Sequence, residues 1–193
     1  MSIVDKDLIR QMVDGVISQE NAHRLISMSS KDKGRFWSYI EVLQERVKWS
    51  DKILLRLTDH LYVVQKTTSE RVVQCDCGHE FGDYRENWKL HSLIRVRSTH
   101  DEFKEVYTPE PACPEPEWQE IREFYCPNCQ AQLAVEVVTP GYPLVFEMLP
   151  DLDRFYREFL GHPLTDESPD WYEDRTAKAT AEWATLQSAR QEK

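Results

Sequence analysis

The chain has 193 residues, 40% of them hydrophobic and 30% charged, and a net charge of -10. That length suffices for a real core, and six Trp, eight Tyr and seven Phe add burial area. The acidic balance argues against nucleic acid as a main partner, since gripping phosphates needs surplus Lys and Arg on one face. No run approaches the ~20 apolar residues of a membrane span. The start Met1-Ser-Ile-Val-Asp-Lys-Asp also lacks a signal peptide's apolar stretch. The cytoplasm is the expected compartment, where clustered thiols hold metal more often than they form disulfides.

The first fifty residues read as helical. Asp5 or Asp7 caps a short helix carrying Leu8, Ile9, Met12 and Val13, with Gly15 as its stop. Ser18 opens a second segment with Ala22, Leu25 and Ile26 on one face. Ser29 or Ser30 caps a third helix, whose Phe36, Ile40, Leu43 and Val47 repeat in the rhythm of a buried stripe.

After Trp49 the period changes. Lys52 to Leu57 and Leu61 to Lys66 read as a hairpin turning at Thr58-Asp59-His60. Arg71 to Gln74 is a third strand leading into Cys75. Leu93 to Arg97 alternates apolar and basic residues as a half-exposed strand would, and Leu133 to Val138 is another strand. Lys89, Arg95 and Arg97 form at most a local basic patch, and a solvated strand face is the simpler reading. Glu117 to Phe124 reads as a helical turn or short helix, and the proline-rich Pro109 to Pro116 as an extended loop. Beyond an irregular stretch with Pro140, Pro143 and Pro150, Asp151 to Leu160 forms a helix with Leu152, Phe155, Tyr156 and Phe159 on one side. Gly161 and Pro163 end it. From residue 165 the chain is acidic, then Ala-rich, and reads as a peripheral helix or partly disordered arm.

The expected fold is α+β. An N-terminal helical segment (1–50) precedes an antiparallel β domain resembling a zinc ribbon (51–150), then a C-terminal helix and extended tail (151–193).

Four of the five cysteines fall in two close pairs, Cys75-Asp-Cys77-Gly-His79 and Cys126-Pro-Asn-Cys129. Each pair follows a strand, so two turns facing each other present four sulfurs to one ion, a closed structural zinc site. The tighter bite of Cys75-x-Cys77 leaves room for a mixed set in which His79 replaces one cysteine. Buried thiols without metal and an iron–sulfur centre are further alternatives. A shell of four sulfurs leaves no position for water and makes the ion a poor Lewis acid. Cys113 stands alone and reads as incidental. The remaining histidines show no ligand spacing or nucleophile motif, and none of the six glycines is clustered as a phosphate loop requires. No catalytic or cofactor-binding residue is assigned to this chain; the expected metal ligands are Cys75, Cys77, Cys126 and Cys129.

Several runs resemble the γ subunit family of acetone carboxylase. They are Glu41 to Ile53, Cys75 to Asp83 (Cys-Asp-Cys-Gly-His-Glu-Phe-Gly-Asp), Glu86 to Leu90, Trp118 to Cys129, and Asp153 to Gly161. The likeness runs in order from about residue 5 to about residue 164. The tail after Thr165, and Gln130 where a glycine often follows the second cysteine pair, point to a relative, the related acetophenone carboxylase being the natural choice. The resemblance implies a biotin-independent, ATP-dependent carboxylase that joins bicarbonate to a ketone to give a β-keto acid. ATP and bicarbonate would be handled by large hydantoinase-like subunits, with this chain as a zinc-bearing, non-catalytic component. It leaves Trp37, Trp49, Trp88 and Trp118 for burial, in the core before an interface. Two rival readings are a free-standing zinc-ribbon adaptor for protein–protein interaction and a small zinc hydrolase using His79 or His91.

Overall fold

The computed structural model describes residues 5–28, 30, 32, 34–108 and 112–181. Three short helices lead: α1 (Lys6–Val13), α2 (Gln19–Ile26) and α3 (Gly34–Gln44). The side chains of Asp5 and Ser18 accept backbone N–H groups of Asp7 and Asn21, satisfying donors that a helix start leaves orphaned. Gly15 follows α1 with a φ of 69°, conformationally cheap only for glycine. Ahead of α3 it is Asp32 that caps, accepting the Gly34 N–H at 2.9 Å, while the Ser29 expectation lies outside the described residues. Leu8, Ile9, Leu25 and Val42 bury together where these helices meet.

A four-stranded antiparallel sheet follows in the order β1-β2-β3-β4, comprising β1 (Lys52–Arg56), β2 (Leu61–Gln65), β3 (Arg71–Cys75) and β4 (Glu80–Asp83). The expected hairpin is present, with Leu61 to Val64 buried on both faces. On one side of this sheet Ile53, Tyr62 and Val64 meet Leu43 of α3. The other side belongs to the main core described below.

A 3₁₀ turn, Trp88–His91, leads to a second antiparallel sheet of β5 (Leu93–Arg97), β6 (Glu120–Tyr125) and β7 (Gln132–Val138), with β6 in the middle. A five-residue helix, α4 (His100–Lys104), sits between β5 and β6 and carries a capping box of Thr99 and Glu102. Here an expectation fails: Glu117 to Phe124 is no helix, and Glu120–Tyr125 is the central strand. Its Arg122 and Glu123 are buried in ion pairs with Glu120 and Arg97, so charged residues stand where an alternating strand would show apolar ones. Of the expected loop 109–116, residues 109–111 lie outside the description and a turn begins at 116.

The main core draws on both sheets and the C-terminal helix: Leu54, Leu61, Val63 and Val73, then Phe81, Trp88 and Phe124, then Leu152, Tyr156 and Leu160. Trp88 bridges the sheets, edge-on to both Phe81 and Phe124 at 6.1 Å. The C-terminal helix begins as α5 (Leu152–Arg154), capped by Asp151, and continues with π-helical bonding over Phe155–Leu160. Gly161, at a φ of 72°, ends it as expected.

Of the peripheral helix or partly disordered arm expected from residue 165, the described part through 181 is an ordered strap that ends in a helical stretch. Arg71, wholly buried, binds Asp153 at 2.7 Å and Asp166 at 3.0 Å. The Trp171 ring lies 4.5 Å from both the Arg71 and the Arg85 guanidinium, a double cation–π contact. Thr176 accepts the Asn87 N–H at 3.0 Å. The chain through Thr176 is thus a strap on the four-stranded sheet, followed by a helical stretch over 176–181. Three further expectations shift. Trp118 is 75% exposed rather than buried, and Trp37 and Trp49 are only half-buried. Lys89 and Arg97 are buried ion-paired groups, Lys89 with Glu136 and Glu147 and Arg97 with Glu123, so of the three basic residues Arg95 alone stands half exposed to solvent.

Candidate metal centre

The two cysteine pairs sit on matching turns. Cys75 ends β3, and its N–H donates to the His79 carbonyl at 2.8 Å as the chain reverses into β4. Cys126 follows β6, and its N–H donates to the Ala131 carbonyl at 3.0 Å as the chain reverses into β7. In each turn the residue after the second cysteine has a left-handed backbone: Gly78 at φ 94° and Gln130 at φ 61°. That kink aims backbone amides at sulfur. The N–H groups of Cys77, His79 and Ala131 bond to the sulfurs of Cys75, Cys77 and Cys129.

The core brings the turns together. All four sulfurs lie within 4.8 Å of one another, with Cys75 to Cys129 at 3.8 Å and Cys77 to Cys126 at 3.7 Å. A tetrahedron with Zn–S bonds of ~2.3 Å has sulfur–sulfur edges of about 3.8 Å, so the spacing fits one zinc ion. It is too long for a disulfide, whose sulfurs stand ~2.05 Å apart. Cys75 and Cys126 are buried while Cys77 and Cys129 face solvent, so the cluster has a dry inner side and an open outer side. His79 is not part of the cluster; its ring packs edge-on to Phe81 at 5.0 Å. His91 stands 3.7 Å from Glu86, at the end of the 3₁₀ turn. Cys113 is half-buried between α4 and β6, away from the group of four.

The thiols differ in readiness to ionise. Burial pushes the Cys75 and Cys129 thiols up. Burial acts the same way on Cys77, but hydrogen bonds from the Asn128 side chain, the His79 N–H and its sister thiols overcome it and hold Cys77 at about 7. A cation arriving at neutral pH thus meets one sulfur close to its thiolate form.

Three supporting residues escaped the sequence reading. Trp49 donates its indole N–H to the Asp76 carbonyl at 3.1 Å and packs 3.4 Å from where a Gly78 Cβ would lie. His60 Nδ1 is 2.7 Å from the Asp76 carboxylate, which pins the residue between the first two sulfurs. Asn128, in the second turn, donates to Cys77 Sγ of the first at 3.5 Å. Only the position of Asp76 inside the Cys-x-Cys pair hinted at such bracing, and no local spacing names its partners.

Comparisons with known proteins agree with the resemblance. The family model described as "Acetone carboxylase gamma subunit" matches residues 47–160. The acetone carboxylase gamma subunit of Xanthobacter autotrophicus is 43% identical over 159 residues, 82% of this chain and 94% of the relative. The acetophenone carboxylase beta subunit of Aromatoleum aromaticum is 29% identical over 112 residues, 58% of this chain and 79% of the relative. Both are related, but the acetone carboxylase subunit shares more identity over more of the chain than the acetophenone carboxylase protein favoured from the tail and Gln130. Among the described residues no helix is long and apolar enough to cross a membrane.

Proposed function

The chain belongs to the acetone carboxylase gamma subunit family, and from that premise we propose that it is the zinc-bearing structural subunit of a biotin-independent, ATP-dependent ketone carboxylase. The enzyme joins bicarbonate to a ketone in the cytoplasm and releases a β-keto acid. Large hydantoinase-like subunits bind ATP and substrate, and this chain completes the assembly. The carrying observation is the convergence of Cys75, Cys77, Cys126 and Cys129 at the edge lengths of a tetrahedral tetrathiolate. Zinc held by four sulfurs supplies cross-linking rather than Lewis-acid chemistry, because its shell is filled by the protein. The chain's own residues do the positioning. Trp49 and His60 fix the first turn, Asn128 ties the second to it, and the bridge spans segments 49 residues apart in sequence.

Two measurements test this reading. Elemental analysis of protein prepared without added metal should give about one zinc per chain, and near zero for the Cys77→Ser/Cys129→Ser variant. ATP- and bicarbonate-dependent carboxylation should appear when the chain is isolated with its large subunits and be absent from the chain alone. Carboxylation by the lone chain, or a metal-free wild type, overturns it.

A further inference from the structure

The cysteine cluster is unevenly protected. Cys75 and Cys126 have no solvent exposure and belong to the main core, while Cys77 and Cys129 face outward. A dissolved reagent therefore meets the site through two sulfurs. Metal binding holds all four as thiolates, so ionisation does not rank the outer two. Hydrogen-bond donors do, because each one drains electron density from a sulfur that must attack with its lone pair. Cys77 accepts two, from the Asn128 side chain at 3.5 Å and from the His79 N–H. Cys129 accepts one, from the Ala131 N–H. Of the two exposed sulfurs, Cys129 is the less restrained.

A sulfur on the other turn is placed to complete a reaction begun there. Cys75 Sγ lies 3.8 Å from Cys129 Sγ, although the two residues are 54 apart in sequence. Closing that gap to the ~2.05 Å of a disulfide takes a shift of less than ~2 Å. Buried Cys75 is out of reach of a dissolved oxidant but not of its neighbour.

Resting on the reading of the cluster as a zinc site, we propose that Cys129 is a peroxide-sensitive modification site and Cys75 its resolving thiol. The Cys129 thiolate attacks one oxygen of hydrogen peroxide, the O–O bond breaks and hydroxide leaves, giving a sulfenic acid. The Cys75 thiolate then attacks the Cys129 sulfur, the S–O bond breaks and a second hydroxide leaves. Two thiolates lose two electrons in all, and one peroxide takes them up. The disulfide withdraws two of the four ligands, so metal affinity collapses at the remaining pair, Cys77 and Cys126. It also joins the same two turns that the metal joined, so the sheets stay linked. A disulfide inside either turn would lose the metal and the link together. A dithiol reductant reverses the bond and restores the ligand set.

Hydrogen peroxide titrated into the zinc-loaded chain tests this, in wild type and in Cys113→Ser, which removes the fifth thiol. A chromogenic chelator should record about one zinc released per peroxide consumed, equally in both proteins. Peptide mapping by mass spectrometry should find Cys75 joined to Cys129 as the first disulfide. Brief alkylation of the zinc-loaded chain with iodoacetamide should label Cys129 severalfold faster than Cys77, and roughly tenfold or more faster than Cys75 or Cys126. The oxidised, metal-free chain should melt higher than the reduced chain stripped by a chelator, and dithiothreitol with zinc should restore the metal. Cys77 labelled first, or a first disulfide within one turn or between Cys77 and Cys126, overturns the inference. So does zinc retained with all four thiols intact under excess peroxide. Each of these leaves the proposed function standing, whereas a metal-free wild type overturns both.

Discussion

The two sheets end in the same kind of cysteine turn but stand on different support. The four-stranded sheet is packed on both sides, against α3 on one and the main core on the other, and the strap from Leu164 to Thr176 lies over it. The three-stranded sheet gives the main core Phe124, Cys126 and Leu133, with Ala134 at the margin, and leaves much of its apolar surface to solvent. The first sheet is held by burial on both sides and by the Arg71 ion pairs, whereas the second, with less burial, would depend more on the proposed metal bridge between its Cys126 and Cys129 and the Cys75 and Cys77 of the first. A closed thiolate site suits that task because folding free energy and metal affinity are the same quantity where the ligands gather only in the fold.

Metal removal is the harshest way to break that asymmetry. A strong chelator, or Cys126→Ser, should release the three-stranded sheet first. Amides of β5, β6 and β7 should lose protection at denaturant or temperature levels that leave β1 to β3 protected. Structural zinc in small peptides contributes ~10 kcal/mol or more of apparent binding free energy, comparable to the whole stability of an ordinary domain. The melting transition should therefore fall by well over ten degrees and split in two. Loss of both sheets in a single step would show that the metal supports them equally.

A smaller change probes the supported sheet. Tyr156→Phe keeps the ring in the core but removes the hydroxyl that closes the Leu54 carbonyl at the β1 edge. Leaving a buried carbonyl without its donor costs about 1–3 kcal/mol. Faster exchange should be confined to β1 and its neighbours, with zinc content unaltered. No measurable change in unfolding free energy would mean that the β1 edge is protected by packing alone.

These dependencies were unequally legible in the sequence. Local signals carried well. The two cysteine pairs announced the cluster because ligand spacing is set within one turn, and the β1–β2 hairpin showed because two short apolar runs, Ile53–Leu55 and Leu61–Val64, flank a polar turn. What failed depends on distant partners. Glu117 to Phe124 read as a helical turn or short helix, since nothing nearby reveals that Arg97 neutralises Glu123 across the ladder. Arg71 finds Asp153 and Asp166 at separations of 82 and 95 residues, so the strap they anchor read only as a peripheral helix or partly disordered arm. Trp118 misled in the opposite direction, because an aromatic residue's size predicts burial only where the fold supplies a cavity.

The two cysteine turns offer the finest comparison. They share their hydrogen-bond closure and the left-handed residue after the second cysteine, but the first has Gly78 there and the second Gln130. A residue with a Cβ pays roughly 1 kcal/mol to sit in that region, while glycine enters it freely. Glycine in turn makes the unfolded chain more flexible, which offsets part of the gain. Gln130→Gly should therefore stabilise the protein by a few tenths of a kcal/mol up to about 1 kcal/mol, detected as a rise of a few degrees at most in melting temperature, with zinc stoichiometry unchanged. The converse Gly78→Ala places a side chain at φ 94° and 3.4 Å from Trp49, and should destabilise by more than the first change gains. If both variants shifted stability in the same direction, the turns would not be equivalent, and the strain at Gln130 would have to be relieved by contacts specific to its side chain.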